Sequence, residues 1–201
     1  MPKVFFACIF SLLSTLAWAD KTLLVWGDSL SAGYGIAKEQ AWPSLLQTRL
    51  KDNGFSYRVV NASVSGETSA GGRSRLPAAL KQHQPQLVII ELGANDGLRG
   101  LPMTEMQNNL AAMIELCKRN GAKVLLVGMR IPPNYGIQYT QAFSGSFKQL
   151  STQYRTGLVP FLFDGIAGKP DAFLPDGLHP SAESQSILLN NVWPQLKPLL
   201  N

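Results

Sequence analysis

The sequence predicts an α/β fold of three layers, with helices on both faces of a five-stranded parallel sheet. Three observations carry this. Five short runs are nearly continuous in Val, Ile and Leu rather than alternating, which is how strands buried on both faces read. Stretches with helical spacing separate them. A chain that alternates strand and helix in this way forms a parallel sheet covered on both sides. Its 201 residues suffice for one domain with a substantial core and are too few for two ordinary ones.

The elements follow in order. Residues 22–26 (TLLVW) form the first strand, which breaks into Gly27-Asp28-Ser29-Leu30, and a helix is expected over 42–51. The second strand, 58–62, runs into Ser65-Gly66-Glu67 and is followed by a helix over 69–82, with Gly71-Gly72 expected to be irregular. The third strand, 87–92, ends at Gly93-Ala94-Asn95-Asp96. In the next helix, 105–120, Thr104 and Gln107 read as a capping box and Gly121 as the stop. A fourth strand over 123–129 leads into an irregular loop, 130–136 (RIPPNYG). A helix over 139–154, a fifth strand over 158–163 and a last helix over 181–196 complete the pattern, with no repeat, linker or low-complexity segment.

The N-terminus has a different character. Lys3, an apolar run over 4–17, and Ala17 and Ala19 around Trp18 make a secretory signal, with cleavage expected after Ala19. The run is shorter than the ~20 apolar residues of a spanning helix, so no stable membrane anchor is expected. The expected organisation is a signal over 1–19 and a single domain over 20–201, exported to the periplasm or secreted. Removing the signal with its Cys8 leaves one thiol, Cys117, which cannot form an internal disulfide. Cys117 shares a helical stripe with Met106, Leu110, Met113 and Ile114, so it reads as a small core hydrophobe.

Composition excludes several function classes. Eighteen Lys and Arg against thirteen Asp and Glu give a net charge of +5 without a dense basic cluster, so no nucleic acid partner is expected. The SVSGETSAGG stretch lacks the Lys-Ser/Thr of a phosphate loop and the G-x-G-x-x-G fingerprint. No His, Cys and Asp cluster has metal-ligand spacing, and no cofactor is expected.

In open α/β sheets ligands bind outside the carboxyl ends of the strands. That rule brings the turns after the first three strands together on one rim. Ser29, after the first strand, is either a helix cap or a nucleophile, and a serine nucleophile needs a base, usually His. Of the two histidines, His83 sits at a helix end in KQHQP with nothing nearby to orient it. His179 follows Asp176 by three residues in PDGLHP, and Asp176 is close enough to fix its tautomer. Pro180 is suited to begin a helix, whose N-terminus would keep His179 neutral and basic. Candidate donors to an oxyanion are the backbone N–H groups of Ser29 and Gly66 and the side-chain amide of Asn95. Each of these residues alone also reads as an ordinary turn or cap residue.

Together the blocks Gly27-Asp28-Ser29-Leu30, Ser65-Gly66, Gly93-Ala94-Asn95-Asp96 and Asp176-Gly177-Leu178-His179 resemble the successive motifs of the GDSL, or SGNH, hydrolases. The resemblance spans essentially the whole chain after the signal, through GDSLSAGYG, AWPSLL, VVNASVSGETS, LPAALKQHQP, ELGANDGLRG and PPNYG. It implies a flavodoxin-like fold and a periplasmic enzyme acting, without a cofactor, on small acyl esters and thioesters, lysophospholipids among them. It implies Ser29 as nucleophile, His179 as base, Asp176 as its orienter, and Ser29, Gly66 and Asn95 as the oxyanion hole. A monomer is expected; Leu76, Pro77, Leu98 and residues 131–135 offer apolar contact for an acyl chain, and each reads equally as ordinary packing. Two rival readings use the same residues, a carbohydrate O-acetylesterase and a non-catalytic acyl or lipid carrier.

Overall fold

The computed structural model of the protein describes residues 21–200. The expected signal over 1–19 lies outside the described residues. The strands are β1 Lys21–Gly27, β2 Tyr57–Asn61, β3 Leu87–Glu91, β4 Lys123–Val127 and β5 Gly157–Val159. The α-helices among the described residues are α1 Ser29–Ala32, α2 Trp42–Asp52, α3 Ser69–His83, α4 Ala94–Leu98, α5 Met103–Arg119, α6 Ile137–Tyr154 and α7 Gln185–Leu196.

All strand pairs are parallel, in the order β2-β1-β3-β4-β5. From β1 the chain steps outward to β2, then crosses back past β1 to β3 and on to β5. Right-handed crossovers therefore send α2 to one face and α3, α5 and α6 to the other. The packing agrees: α3 lies on α5 and α5 on α6, while α2 lies on α7. The expected three layers are present.

The apolar runs of β1 and β3 are buried throughout, as strands covered on both faces must be. Trp42, Leu46 and Leu50 of α2 face the sheet from one side, and Met113, Ile114 and Cys117 of α5 from the other. Cys117 is the core thiol expected from its stripe, and burial pushes it up to about 12.

The differences from the sequence reading are local. β5 stops at Val159 because Pro160 has no N–H for the ladder; Leu162 N–H resumes the contact with the Gly128 carbonyl at 3.0 Å. α5 begins at Met103 after Pro102, so Thr104 lies inside the helix and the expected capping box does not form. Gly71 and Gly72 are helical, because Thr68 caps α3 by accepting from Gly71 N–H at 3.3 Å. The last helix starts at Gln185, not at 181. Pro180 is instead bridged to Phe173 in antiparallel fashion, and Ser181 N–H donates to the Ala172 carbonyl at 2.9 Å, which holds the segment extended.

The strand order reverses direction at β1, between the outgoing connection to β2 and the returning one to β3. Such a switch point opens a crevice at the carboxyl ends of the two central strands. Ser29 follows β1 there, and Asn95 follows β3.

Candidate active site

β1 ends at Gly27, opposite Glu91 of β3. Asp28 then caps α1, its Oδ1 accepting from Leu30 N–H at 3.0 Å. Capping is thus done by Asp28 and not by Ser29, whose hydroxyl is left to face the crevice. Its Oγ lies 2.9 Å from Nε2 of His179, a residue 150 positions further along the chain.

His179 is held by its own loop. Asp176 Oδ1 accepts from the N–H groups of Leu178 at 2.9 Å and His179 at 3.0 Å, and Oδ2 lies 2.7 Å from His179 Nδ1. The loop closes on itself through Leu174 N–H to the His179 carbonyl at 2.7 Å. The ring of Tyr34 leans on the imidazole, with centroids 4.4 Å apart at 36°. The backbone donors of His179 and Leu178, followed by the imidazole, bring the Asp176 carboxyl down to about 2. It is therefore ionised across the working range and can only accept. Nδ1 must carry the proton toward it, which leaves the Nε2 lone pair for the Ser29 hydroxyl. The helix terminus expected beside His179 plays no part, since α7 begins six residues later.

The three candidate oxyanion donors come from the connections after β1, β2 and β3. Ser29 is the first residue of α1, so its N–H has no partner within the helix. Gly66 turns with φ +77°, a conformation that favours glycine. Its turn is tied down by Val64 N–H to the Gly27 carbonyl at 3.0 Å and by Arg99 Nη2 to the Gly66 carbonyl at 3.0 Å. Asn95 donates from Nδ2 to Asp28 Oδ2 at 3.0 Å. The structure therefore brings Ser29, Asp176 and His179 into one hydrogen-bonded chain and fixes the Asn95 amide against the residue preceding Ser29. His83 ends α3, outside this chain of contacts.

Sequence reasoning missed Glu91 and Tyr34 and gave Asp28 no role of its own. The signal for Glu91 is an acid closing an otherwise apolar strand, LVIIE. Glu91 and Asp28 are both buried. Glu91 Oε2 accepts from Ser31 Oγ at 2.7 Å and from Asp28 N–H at 3.4 Å, which packs the two acids together. Burial, and then the Asp28 charge, hold the Glu91 carboxyl well above the usual range. Burial raises Asp28 to about 6, against the pull of Leu30 N–H, the Asn95 amide and Glu91. Two buried carboxyl groups this close resist ionising together, so the pair titrates as a unit.

Two expected acyl contacts are corrected: Leu76 and Ile131 are core residues. The large exposed hydrophobic side chains Tyr34, Val64, Leu101, Tyr135 and Leu178 instead lie in connections that follow the carboxyl ends of the strands, and Ile137 begins α6. Among the described residues, no group of His, Cys, Asp and Glu side chains is arranged to hold a metal.

Residues 25–187 match the model of the GDSL-like lipase/acylhydrolase family. The chain is 52% identical over 193 residues to esterase TesA of Pseudomonas aeruginosa, covering 96% of each. It is 42% identical over 190 residues to thioesterase 1/protease 1/lysophospholipase L1 of Escherichia coli K12, covering 94% of this chain and 90% of that protein. The crystal structure of the psychrotrophic esterase EstA from a Pseudoalteromonas species, inhibited by monoethylphosphonate, superposes with a TM-score of 0.85 at 42% identity. It covers 90% of this chain and all of that one.

The raised pKa of Glu91 has a measurable consequence. Its folded-state pKa is raised, so between the unfolded value near 4.5 and the folded value only the unfolded chain releases the proton. Stability from this group is full below that window and falls as pH rises, by up to about 1.4 kcal/mol per pH unit. Glu91→Gln removes the titration. Its urea midpoint relative to the parent is expected to rise from pH 4 to pH 8; a difference that stays flat or falls would mean Glu91 is ionised in the fold.

Proposed function

This chain belongs to the GDSL-like lipase/acylhydrolase family and is an ester hydrolase; we propose that it works through an acyl-enzyme on Ser29, with His179 as base and Asp176 as orienter. The observation that carries the proposal is the continuous hydrogen-bonded chain from Asp176 Oδ2 through both imidazole nitrogens to Ser29 Oγ. His179 takes the Ser29 proton at Nε2 as Oγ attacks the acyl carbonyl carbon. The oxyanion is met by the N–H groups of Ser29 and Gly66 and by the Asn95 amide. Asp176 offsets the imidazolium, which then protonates the departing alkoxide or thiolate. Water, deprotonated by His179, attacks the acyl-enzyme, and as the acid leaves the imidazolium returns that proton to Ser29 Oγ.

The substrates proposed are small acyl esters and thioesters, including lysophospholipids. The apolar crevice rim supports this class, since exposed apolar patches mark surfaces that bind apolar groups. The names esterase and thioesterase/lysophospholipase borne by the relatives point the same way. One chain supplies the whole hydrogen-bonded set, which supports a monomer, and no helix of the described residues is long and apolar enough to cross a membrane. Residues 1–19 are proposed to be a cleaved export signal that sends the enzyme to the periplasm or outside the cell.

Three measurements test the proposal. Ser29→Ala should fold normally, lose labelling by a fluorophosphonate and lower kcat by about 10⁴-fold or more. A folded variant that still labels or still turns over ester removes the nucleophile assignment, and a parent that fails to label supports a non-catalytic carrier. A p-nitrophenyl ester series from acetyl to decanoyl should favour the longer chains, and a sharp acetyl preference supports a carbohydrate O-acetylesterase instead. Protein recovered from the periplasmic or external fraction should begin at Asp20; a retained Met1 would exclude cleavage.

A further inference from the structure

We propose that Asp28 is a positioning residue for the oxyanion donor Asn95, and that Glu91, packed against Asp28, keeps it in that role. The proposal rests on the acyl-enzyme reading above and deepens it.

The argument starts from what a carboxylate can do. An ionised Asp28 has acceptors only, so whichever group of the Asn95 amide faces it must be the nitrogen. Nδ2 does face it, 3.0 Å from Oδ2. The amide is planar, so anchoring one N–H fixes the direction of the second. That second N–H is the one left to meet the oxyanion. Without the anchor the amide can rotate by half a turn and present its carbonyl oxygen, which repels an oxyanion instead of stabilising it.

Glu91 makes the anchor possible. Two buried carboxyl groups in contact cannot both ionise. Were the shared proton on Asp28, its O–H would compete as a donor and the amide orientation would no longer be dictated. The donors assign the charge to Asp28, which has one on each oxygen, Leu30 N–H on Oδ1 and the Asn95 amide on Oδ2, both at 3.0 Å. Both donors to Glu91 fall on Oε2, the Ser31 hydroxyl at 2.7 Å and Asp28 N–H at the longer 3.4 Å. Gly27 leaves the space for this arrangement, since a Cβ there would lie 2.7 Å from Glu91 Oε2.

Asp28→Asn reverses the anchor while keeping the helix cap, because Asn caps as well as Asp. Its Oδ1 stays on Leu30 N–H, so its amide nitrogen replaces Oδ2 and meets Asn95 donor to donor. Asn95 must then turn its oxygen inward. An oxyanion contact is made in the transition state, so the loss should appear in kcat and much less in KM.

The test is a double-mutant cycle on ester hydrolysis with purified, folded variants. Asn95→Ala and Asp28→Asn are each expected to lower kcat by about 10²- to 10³-fold. The double variant should be no worse than Asn95→Ala alone, within about threefold, because the group being positioned is already gone. A purely structural role for Asp28 would give losses that multiply, and that result, or an Asp28→Asn enzyme with parental kcat, overturns the inference. Asp28→Ser, which also caps but has no second oxygen, runs the same cycle if the Asn variant fails to fold. If Asn95→Ala alone keeps full kcat, the oxyanion reading of Asn95 fails instead, so the two failures are distinct.

Discussion

The pairing of Gly27 with Glu91 at the carboxyl ends of β1 and β3 is the constraint on which the rest of the site depends. A slip of one residue in that register would turn Glu91 to the opposite face of the sheet and leave a carboxyl group without its partners. In register, Glu91 sits against the turn that leaves β1 and holds Ser31 of α1 by its hydroxyl. Asn61, at the end of β2, donates to the Ser31 carbonyl at 2.8 Å from the other side. α1 has four residues, far fewer than a helix needs to persist alone. The central strands and the Asp28 cap give it a fixed place, and with it Ser29.

Three carboxyl groups around the crevice show how environment divides one chemistry into three uses. Asp176 is solvent-exposed and surrounded by N–H donors of its own loop, which pull its pKa to about 2. It is a reliable acceptor for the imidazole. Asp28 and Glu91 have the same functional group in a buried setting, where losing water raises both. Burial alone does not separate them; the placement of donors does. Asp28 has a donor on each oxygen, which favours its charged form, whereas both donors to Glu91 share Oε2.

Much of this was legible in the sequence, for identifiable reasons. Near-continuous apolar strands and intervening helical spacing dictate a parallel sheet, and the rule that ligands bind at its carboxyl edge placed Ser29 and Asn95 on one rim. The three-residue spacing of Asp176 and His179 foretold their contact, because one loop is short enough to enforce it. The failures have separate causes. Pro160, Pro102 and Pro180 act through hydrogen bonds they cannot donate or through tertiary bridges, and local propensity is silent about which applies. The core positions of Leu76 and Ile131 depend on which way a side chain faces, which no run of apolar letters specifies. Glu91 was invisible for a different reason: a lone acid at a strand end looks like the start of a solvated turn until the register puts Gly27 over it.

The two sides of the crevice are therefore built on different principles. The side carrying Ser29 and Asn95 belongs to the core, where Glu91, Asp28 and Ser31 interlock and a change in any one disturbs its neighbours. The side carrying His179 is a surface loop, fixed by the Asp176 side chain folding back on its own backbone, by the Phe173–Pro180 bridge and by the Tyr34 ring. In the proposed mechanism charge develops on the first side, where donors must already be in place and where water is least able to replace them. The proton moves in that mechanism on the second, where an imidazole needs only its tautomer and direction set. Gly27-Asp28-Ser29 is the seam between them. Gly27 admits Glu91, Asp28 caps α1 and anchors Asn95, and Ser29 is left with one hydroxyl facing His179, so the reading of Ser29 as a cap falls to its neighbour.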